Sequence, residues 1–158
     1  MSSNKNTALR EFSWPVRVYY EDTDSGGVVY YANYLKFMER ARTELLRNIG
    51  YEQDLLQQEL GIIFAVHSAN IEYKKPARFN DELSVVTSIT SLGRASIHFK
   101  QSVILKSSSH AGSASGTKPD LLSEAEIKIA CLNANKFTPQ SIPAAIIEKI
   151  KKEIQSGS

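Results

Sequence analysis

At 158 residues the chain is long enough for one domain with a proper hydrophobic core. Its 19 basic and 17 acidic side chains nearly balance, and no concentrated basic stripe indicates nucleic-acid binding. A single cysteine excludes an intrachain disulfide and a multi-thiolate metal site. The sequence has no signal-peptide core and no uncharged stretch of membrane-spanning length, which favours a cytoplasmic protein.

The chain starts with a polar segment, residues 1–12, that is predicted to be disordered, and a single domain is expected over residues 13–155. In SWPVRVYY, residues 13–20, apolar side chains occupy every second position from Trp14. This period of two predicts a first strand. An acidic and glycine-rich stretch, YEDTDSGGVVY, separates this strand from the next element.

A long amphipathic helix is predicted to follow the acidic stretch. Apolar residues recur there at helical spacing and form one stripe: Tyr31, Tyr34, Leu35, Met38, Ala41, Leu45, Leu46 and Ile49. Gly50 is placed to end this helix as a left-handed cap. A second, shorter helix is expected over residues 53–60, ending at Gly61.

Four strands are predicted in the second half of the chain. The first, residues 62–75, opens with a continuous apolar run that is typical of a buried strand, and His67 is expected to share a face with Ala65 and Ala69. In the other three strands, alternation places one set of residues on a common face: Leu83, Val85, Thr87 and Ile89; then Ile97, Phe99, Val103 and Leu105; then Ala125, Ile127, Ile129 and Cys131.

Between the last two strands, residues 106–120 are rich in serine and glycine and are predicted to be a flexible insertion. A closing helix after Pro143 has isoleucines at helical spacing, which are expected to pack on the domain. One long apolar helix combined with about five mostly antiparallel strands indicates an α+β fold, in which a sheet wraps around the helix.

The acidic loop has two interpretations. Asp, Ser and Gly are common in ordinary turns, where Asp24 would form an Asx-turn and Gly26 and Gly27 would supply positive φ. However, Asp24 lies too far upstream of the helix to be its N-cap, and the residues between them are large and apolar. A carboxylate beside a helix N-terminus suits acyl transfer, because free N–H groups stabilise an oxyanion while the carboxylate attacks or deprotonates a water.

Residues 15–47, PVRVYYEDTDSGGVVYYANYLKFMERARTELLR, closely resemble the N-terminal signature of the 4-hydroxybenzoyl-CoA thioesterase-like hotdog proteins. Within that family they look most like the acyl-CoA thioesterases associated with the bacterial Tol-Pal system. The resemblance continues more weakly through EYKKPARFNDEL and the last strand. It implies a hotdog fold, hydrolysis of an acyl-CoA thioester to an acid and CoA without a cofactor, and a homodimer or homotetramer with active sites between subunits.

The resemblance also implies roles for residues of the loop. Asp24, the second acid of D-x-D, corresponds to the catalytic carboxylate, and the Tyr31 backbone N–H corresponds to the donor that binds the thioester carbonyl. Close relatives commonly carry a histidine where this chain has Tyr31, so no side-chain role transfers to it. Residues expected to lie against the substrate are Gly26, Gly27 and Val28, and those expected to support the loop are Asp22, Thr23 and Asn33. No metal site is expected.

Some assignments stay open. Glu39 is a rival to Asp24 as the catalytic base, although a surface ion pair with Arg42 is the preferred interpretation. Three basic residues either bind the phosphates of CoA or are simply solvated: Lys74, Lys75 and Arg78. An acyl carrier protein could replace CoA as the carrier, and a cell-envelope binding or scaffold protein of the same fold is the non-enzymatic alternative. A dehydratase is disfavoured, because no histidine occurs near the loop. The basic closing helix suggests at most peripheral contact with the inner face of a membrane.

Overall fold

The sheet is antiparallel and has five strands in the order β1-β3-β4-β5-β2, in a computed structural model that describes residues 11–108 and 120–155. The strands are β1 (Phe12–Arg17), β2 (Ile62–Tyr73), β3 (Glu82–Leu92), β4 (Ser96–Ser107) and β5 (Asp120–Asn133). The helices are α1 (Ala32–Ile49), α2 (Gln53–Leu55), which continues as a π-helical turn over Leu56–Leu60, and α3 (Ala144–Gln155). The predicted hotdog arrangement, an antiparallel sheet wrapped around one long helix, is therefore confirmed.

Helix α1 supplies the centre of the core. Its buried apolar side chains pack inside the sheet: Tyr34, Phe37, Met38, Ala41, Leu45, Leu46 and Ile49. The predicted stripe is wrong at Tyr31 and Leu35, which are 61% and 41% exposed, because Tyr31 precedes the first helical turn and Leu35 faces an open groove. Gly50 ends the helix with φ of 115° and donates its N–H to the Leu46 carbonyl, so the predicted cap is confirmed.

The inner faces of β3, β4 and β5 complete the core as their alternation predicts. Every predicted position except Leu105 is buried, and Leu105 packs against the same cluster. The pattern did not indicate Gln101, which is fully buried and accepts a hydrogen bond from Arg42 at 2.9 Å. Arg42 was expected on the surface but is 7% exposed, and this burial lowers the pKa of its guanidinium.

Strand β2 lies at the edge of the sheet, so the prediction of a buried strand is wrong. Ile62 is the only residue of β2 that is fully buried, and Val66 is 55% exposed. A β-bulge at His67 shifts the register against β5. Ala65 and Ala69 consequently lie on opposite faces, so the shared face predicted for these two residues and His67 is also wrong.

The strands extend into two segments that were predicted to lack structure. β1 begins at Phe12, the last residue of the predicted disordered segment, while residues 1–10 lie outside the described residues. β4 ends at Ser107 and β5 begins at Asp120. The predicted insertion therefore overlaps both strand ends, and its residues 109–119 lie outside the described residues.

Helix α3 packs its apolar side on the domain, as predicted. Ile146 and Ile150 are buried, and Ile147 and Ile154 are partly buried against the core. No helix within residues 11–108 and 120–155 is long and apolar enough to cross a membrane.

Candidate functional site

The loop between β1 and α1 is held by hydrogen bonds within itself and to the start of the helix. Tyr20–Asp22 forms a 3-10 turn, in which the Asp22 carboxylate accepts the Tyr19 N–H at 2.8 Å. The Thr23 hydroxyl donates to the Tyr20 carbonyl at 2.7 Å. The Asn33 side-chain amide donates to the Asp22 carbonyl at 2.9 Å, which ties α1 to the turn. These contacts suit the supporting roles expected for Asp22, Thr23 and Asn33.

Asp24 follows this turn and uses one carboxylate oxygen to fold the loop. Its Oδ1 accepts the Gly26 N–H at 2.8 Å in an Asx-turn, and its carbonyl accepts the Gly27 N–H at 3.0 Å. Its Oδ2 accepts no hydrogen bond within the described part of the chain. Gly27 needs its positive φ of 82°, whereas Gly26 has no positive φ and instead avoids a Cβ that would lie 3.3 Å from Asp24 Oδ1.

Asp24 lines a pocket of about 340 Å³ between the loop, the start of α1 and the end of β2. The other lining residues are Val28, Val29, Tyr30, Tyr31, Tyr34, Tyr73, Lys74, Lys75 and Pro76. The Tyr31 ring centroid lies 5.3 Å from that of Tyr30 and 5.3 Å from that of Tyr73. The residues that line the pocket are therefore largely aromatic and aliphatic, and they include one acidic residue, Asp24, and two lysines.

Tyr31 places the start of α1 at this pocket. It is the N-cap of α1, where backbone N–H groups have no partner within the helix. Its N–H meets no acceptor among the residues that the structure describes, and the helix dipole adds partial positive charge there. An N–H without an acceptor and a carboxylate, on two residues that line one pocket, are the two groups that hydrolysis of a carbonyl compound needs: the N–H can bind the carbonyl oxygen, while the carboxylate attacks the carbonyl carbon or deprotonates a water.

The basic residues near the pocket differ in their pairing. Lys74 Nζ lies 3.3 Å from a Glu72 oxygen, and Lys75 Nζ lies 3.1 Å from an Asp120 oxygen. The Arg78 guanidinium has no ion pair or hydrogen bond within the described ranges. Because exposed ion pairs are weak, the two lysines remain able to exchange these partners for a phosphate.

The remaining candidates lie away from the pocket. Glu39 lines a separate groove between α1 and β2, and Arg42, its expected partner, is hydrogen-bonded to Gln101 instead. Cys131 is buried in the core, as predicted, and burial raises the pKa of its thiol. In the parts of the chain that the structure describes, no group of His, Cys, Asp and Glu side chains could hold a metal ion.

Sequence reasoning did not single out two tyrosines of the pocket. Tyr34 was assigned to the apolar stripe of α1, but its hydroxyl accepts the Ala77 N–H at 3.0 Å. Tyr73 reaches the pocket from the end of β2. Burial raises the pKa of both phenols. A hydroxyl on an otherwise apolar stripe was the available signal for Tyr34, whereas Tyr73 carried none.

The chain is similar to known proteins over most of its length. A family model described as the thioesterase superfamily matches residues 26–109, more than half of the chain. The acyl-CoA thioester hydrolase YbgC of Escherichia coli O6:H1 is 43% identical over 147 residues, which cover 93% of this chain and 99% of that protein. A probable thioesterase from Bartonella henselae is 31% identical, with a TM-score of 0.73 over 84% of this chain and 99% of that one. The 4-hydroxybenzoyl CoA thioesterase from Pseudomonas sp. strain CBS-3 has a TM-score of 0.77, over 89% of this chain and 99% of that one, at 23% identity, a likeness of fold.

Proposed function

This chain belongs to the thioesterase superfamily and is a thioester hydrolase, and we propose that it hydrolyses acyl-CoA thioesters to a carboxylic acid and free CoA. One observation carries the assignment of the site. Asp24 and Tyr31 line the same pocket, and the Tyr31 N–H has no acceptor among the residues that the structure describes. The name of the Escherichia coli relative supports CoA as the carrier of the acyl group.

The proposed reaction uses few groups. The Tyr31 N–H binds the thioester carbonyl oxygen and stabilises the negative charge that develops on it. Asp24 Oδ2 either attacks the carbonyl carbon, giving an anhydride that water then hydrolyses, or takes a proton from the attacking water. By either route the C–S bond breaks, CoA leaves as a thiolate that is then protonated, and no cofactor takes part. Gly26, Gly27 and Val28 let the loop backbone approach the thioester.

The edge of the sheet supports a homo-oligomer, dimer or tetramer. β2 has 12 residues without a proline and hydrogen-bonds to β5 on one side only. β1, at the opposite edge, has six residues, including Pro15, which removes a donor. Leu35, Phe64 and Val66 line a groove of about 500 Å³ beside β2. Pairing of β2 with its copy in a second subunit would satisfy the open edge and cover this apolar surface.

The proposed setting follows from the resemblance and from the surface charges. We place the enzyme in the cytoplasm, with at most peripheral contact at the inner face of the membrane, as its likeness to the Tol-Pal-associated thioesterases suggests. The lysines of α3 would make that contact.

An acyl carrier protein would present its thioester on the same pantetheine arm as CoA, so it is the alternative carrier. A binding or scaffold protein with the same fold is the remaining alternative.

Asp24→Asn tests the catalytic assignment. The asparagine Oδ1 can still accept the Gly26 N–H, so the loop should keep its shape while the charge is lost. We expect kcat for acyl-CoA to fall by about 10²- to 10⁴-fold, measured by release of the CoA thiol from a panel of acyl-CoAs. Asp54 is an exposed acid in α2, outside the pocket, so Asp54→Asn is the matched control and should retain wild-type activity.

The outcomes separate the alternatives. A folded Asp24→Asn variant that hydrolyses as fast as the wild type would refute the catalytic role of Asp24. A wild-type enzyme that is inactive on every acyl-CoA but active on acyl carrier protein would transfer the proposal to that carrier. Inactivity on both would favour the binding protein.

A further inference from the structure

Tyr34 connects helix α1 to the Asp24 loop through Ala77, and we propose that its hydroxyl is a positioning group for the Asp24 carboxylate. This inference rests on the catalytic role proposed for Asp24. Tyr34 is 3% exposed and lies in the first turn of α1, three residues after Tyr31, the N-cap residue that supplies the proposed oxyanion donor. It therefore belongs to the rigid part of the site.

The Tyr34 hydroxyl satisfies a buried backbone group. It accepts the N–H of Ala77, which is 0% exposed, at 3.0 Å. The two residues lie 43 positions apart in the sequence, so this bond joins α1 to the segment between β2 and β3. A buried N–H that loses its partner is costly, and the segment would move to recover one.

Ala77 passes this constraint to the loop. Its carbonyl accepts the Val29 N–H at 2.9 Å, and its neighbour Arg78 forms a β-bridge with Val28. The Val28 carbonyl in turn accepts the Asp24 N–H at 2.9 Å. An unbroken series of hydrogen-bonded groups thus runs from the Tyr34 phenol to the Asp24 backbone, and it fixes Asp24 relative to the start of α1.

Core packing alone does not require the Tyr34 hydroxyl. The Tyr34 ring centroid lies 6.1 Å from that of Phe37 and 5.5 Å from that of Tyr73, and a phenylalanine would keep both contacts. The exposed loop has little apolar area of its own to hold it in place, because Asp24, Ser25 and the two glycines are all solvent-exposed. Catalysis needs the carboxylate held close to the reacting carbon, so small displacements of this loop should slow the reaction.

Tyr34→Phe is the direct test. We expect kcat for acyl-CoA to fall about tenfold, the fold-change that corresponds to the ~1.4 kcal/mol of one buried hydrogen bond, with KM changed by less than about twofold. Tyr51→Phe is the matched control: Tyr51 is partly buried against the core beyond the opposite end of α1, so its variant should keep the wild-type kcat. Circular dichroism establishes that each variant is folded before its kinetics are compared.

A double variant separates positioning from other effects. In the Asp24→Asn background, Tyr34→Phe should cause no further loss of rate, because no carboxylate remains to be positioned. An unchanged kcat in Tyr34→Phe alone, or an equal loss in both backgrounds, would overturn the inference. If Asp24→Asn itself keeps full activity, the proposed function fails instead, so the two failures are distinguishable.

Amide hydrogen exchange gives a test that does not depend on enzyme kinetics. In the wild type the Ala77 and Val29 amides should be protected, and in Tyr34→Phe both should exchange faster while amides in the middle of α1 do not change. An Ala77 amide that exchanges without protection in the wild type would show that the Tyr34 hydroxyl does not fix this segment, and it would overturn the inference whatever the kinetics.

Discussion

Gln101→Leu should destabilise the fold while leaving the shape of the core almost unchanged. The Gln101 side chain is 0% exposed and makes three hydrogen bonds. Its Oε1 accepts from Arg42 at 2.9 Å, and its Nε2 donates to the Met38 carbonyl at 3.0 Å and to the Thr87 hydroxyl at 2.9 Å. Leucine has a similar volume, so the substitution removes polar partners without opening a large cavity.

The expected loss in the free energy of unfolding follows from these three hydrogen bonds. A hydrogen bond to a charged group contributes about 1.5–3 kcal/mol and a neutral one about 1 kcal/mol, so the three together contribute about 3.5–5 kcal/mol. The apolar side chain that replaces Gln101 recovers on the order of 1 kcal/mol by burial. Arg42 would keep its charge in a site where burial already lowers the pKa of the guanidinium, with one donor left unpaired. We therefore expect a net loss of about 2.5–4 kcal/mol in the free energy of unfolding.

Urea denaturation followed by circular dichroism measures this loss, at one fixed protein concentration because oligomers unfold in a concentration-dependent way. The melting temperature should fall by about 10 °C. Thr87→Val is the control: it removes one of the three bonds at a site that is also 0% exposed, and should cost about 1 kcal/mol. A loss below about 1 kcal/mol for Gln101→Leu, or equal losses for both variants, would refute the assignment of the stability to the Arg42 contact.

Two further predictions concern assembly and pH. Val66→Asp should disrupt the proposed β2 pairing and shift the protein towards its 17.6 kDa monomer in size-exclusion chromatography with light scattering. Ser91→Asp, on the exposed part of β3, is the control and should not change the oligomer. An oligomer that Val66→Asp leaves unchanged would refute pairing through β2. Burial raises the pKa of Cys131 and of Tyr34, so the unfolded chain releases these two protons at a lower pH than the folded chain does. The free energy of unfolding should therefore fall as the pH rises above about 9. A urea midpoint that stays constant up to about pH 11 would contradict this prediction.

Local periodicity predicted most of the framework. The stripe of α1, its Gly50 cap and the inner faces of β3, β4 and β5 depend on spacings of two to four residues, and the hydrophobic effect acts on those spacings directly. The loop acids were also recognisable, because the resemblance over residues 15–47 aligned Asp24 and Tyr31 with a known signature.

The features that were missed depend on partners far along the chain. Arg42 is buried because Gln101, 59 positions later, receives its hydrogen bond. The Tyr34 hydroxyl accepts a hydrogen bond only because the N–H of Ala77, 43 positions later, lies beside it. A one-residue bulge at His67 changes which residues of β2 face inward, and no local composition marks it. Tertiary contacts of this kind override the preferences that a short window of sequence contains.

The three acids of the loop differ in what the backbone leaves them free to do. The Asp22 carboxylate accepts the Tyr19 N–H and closes the 3-10 turn, and Glu21 is exposed and does not line the pocket. Asp24 is tied to the Gly26 N–H through Oδ1, while its Oδ2 accepts nothing from the described chain. A carboxylate held by one oxygen and open at the other is both oriented and able to react. The Asx-turn that is common in ordinary loops would therefore also orient the carboxylate for the catalytic role that we propose, so the structural and the catalytic interpretations of the loop are compatible.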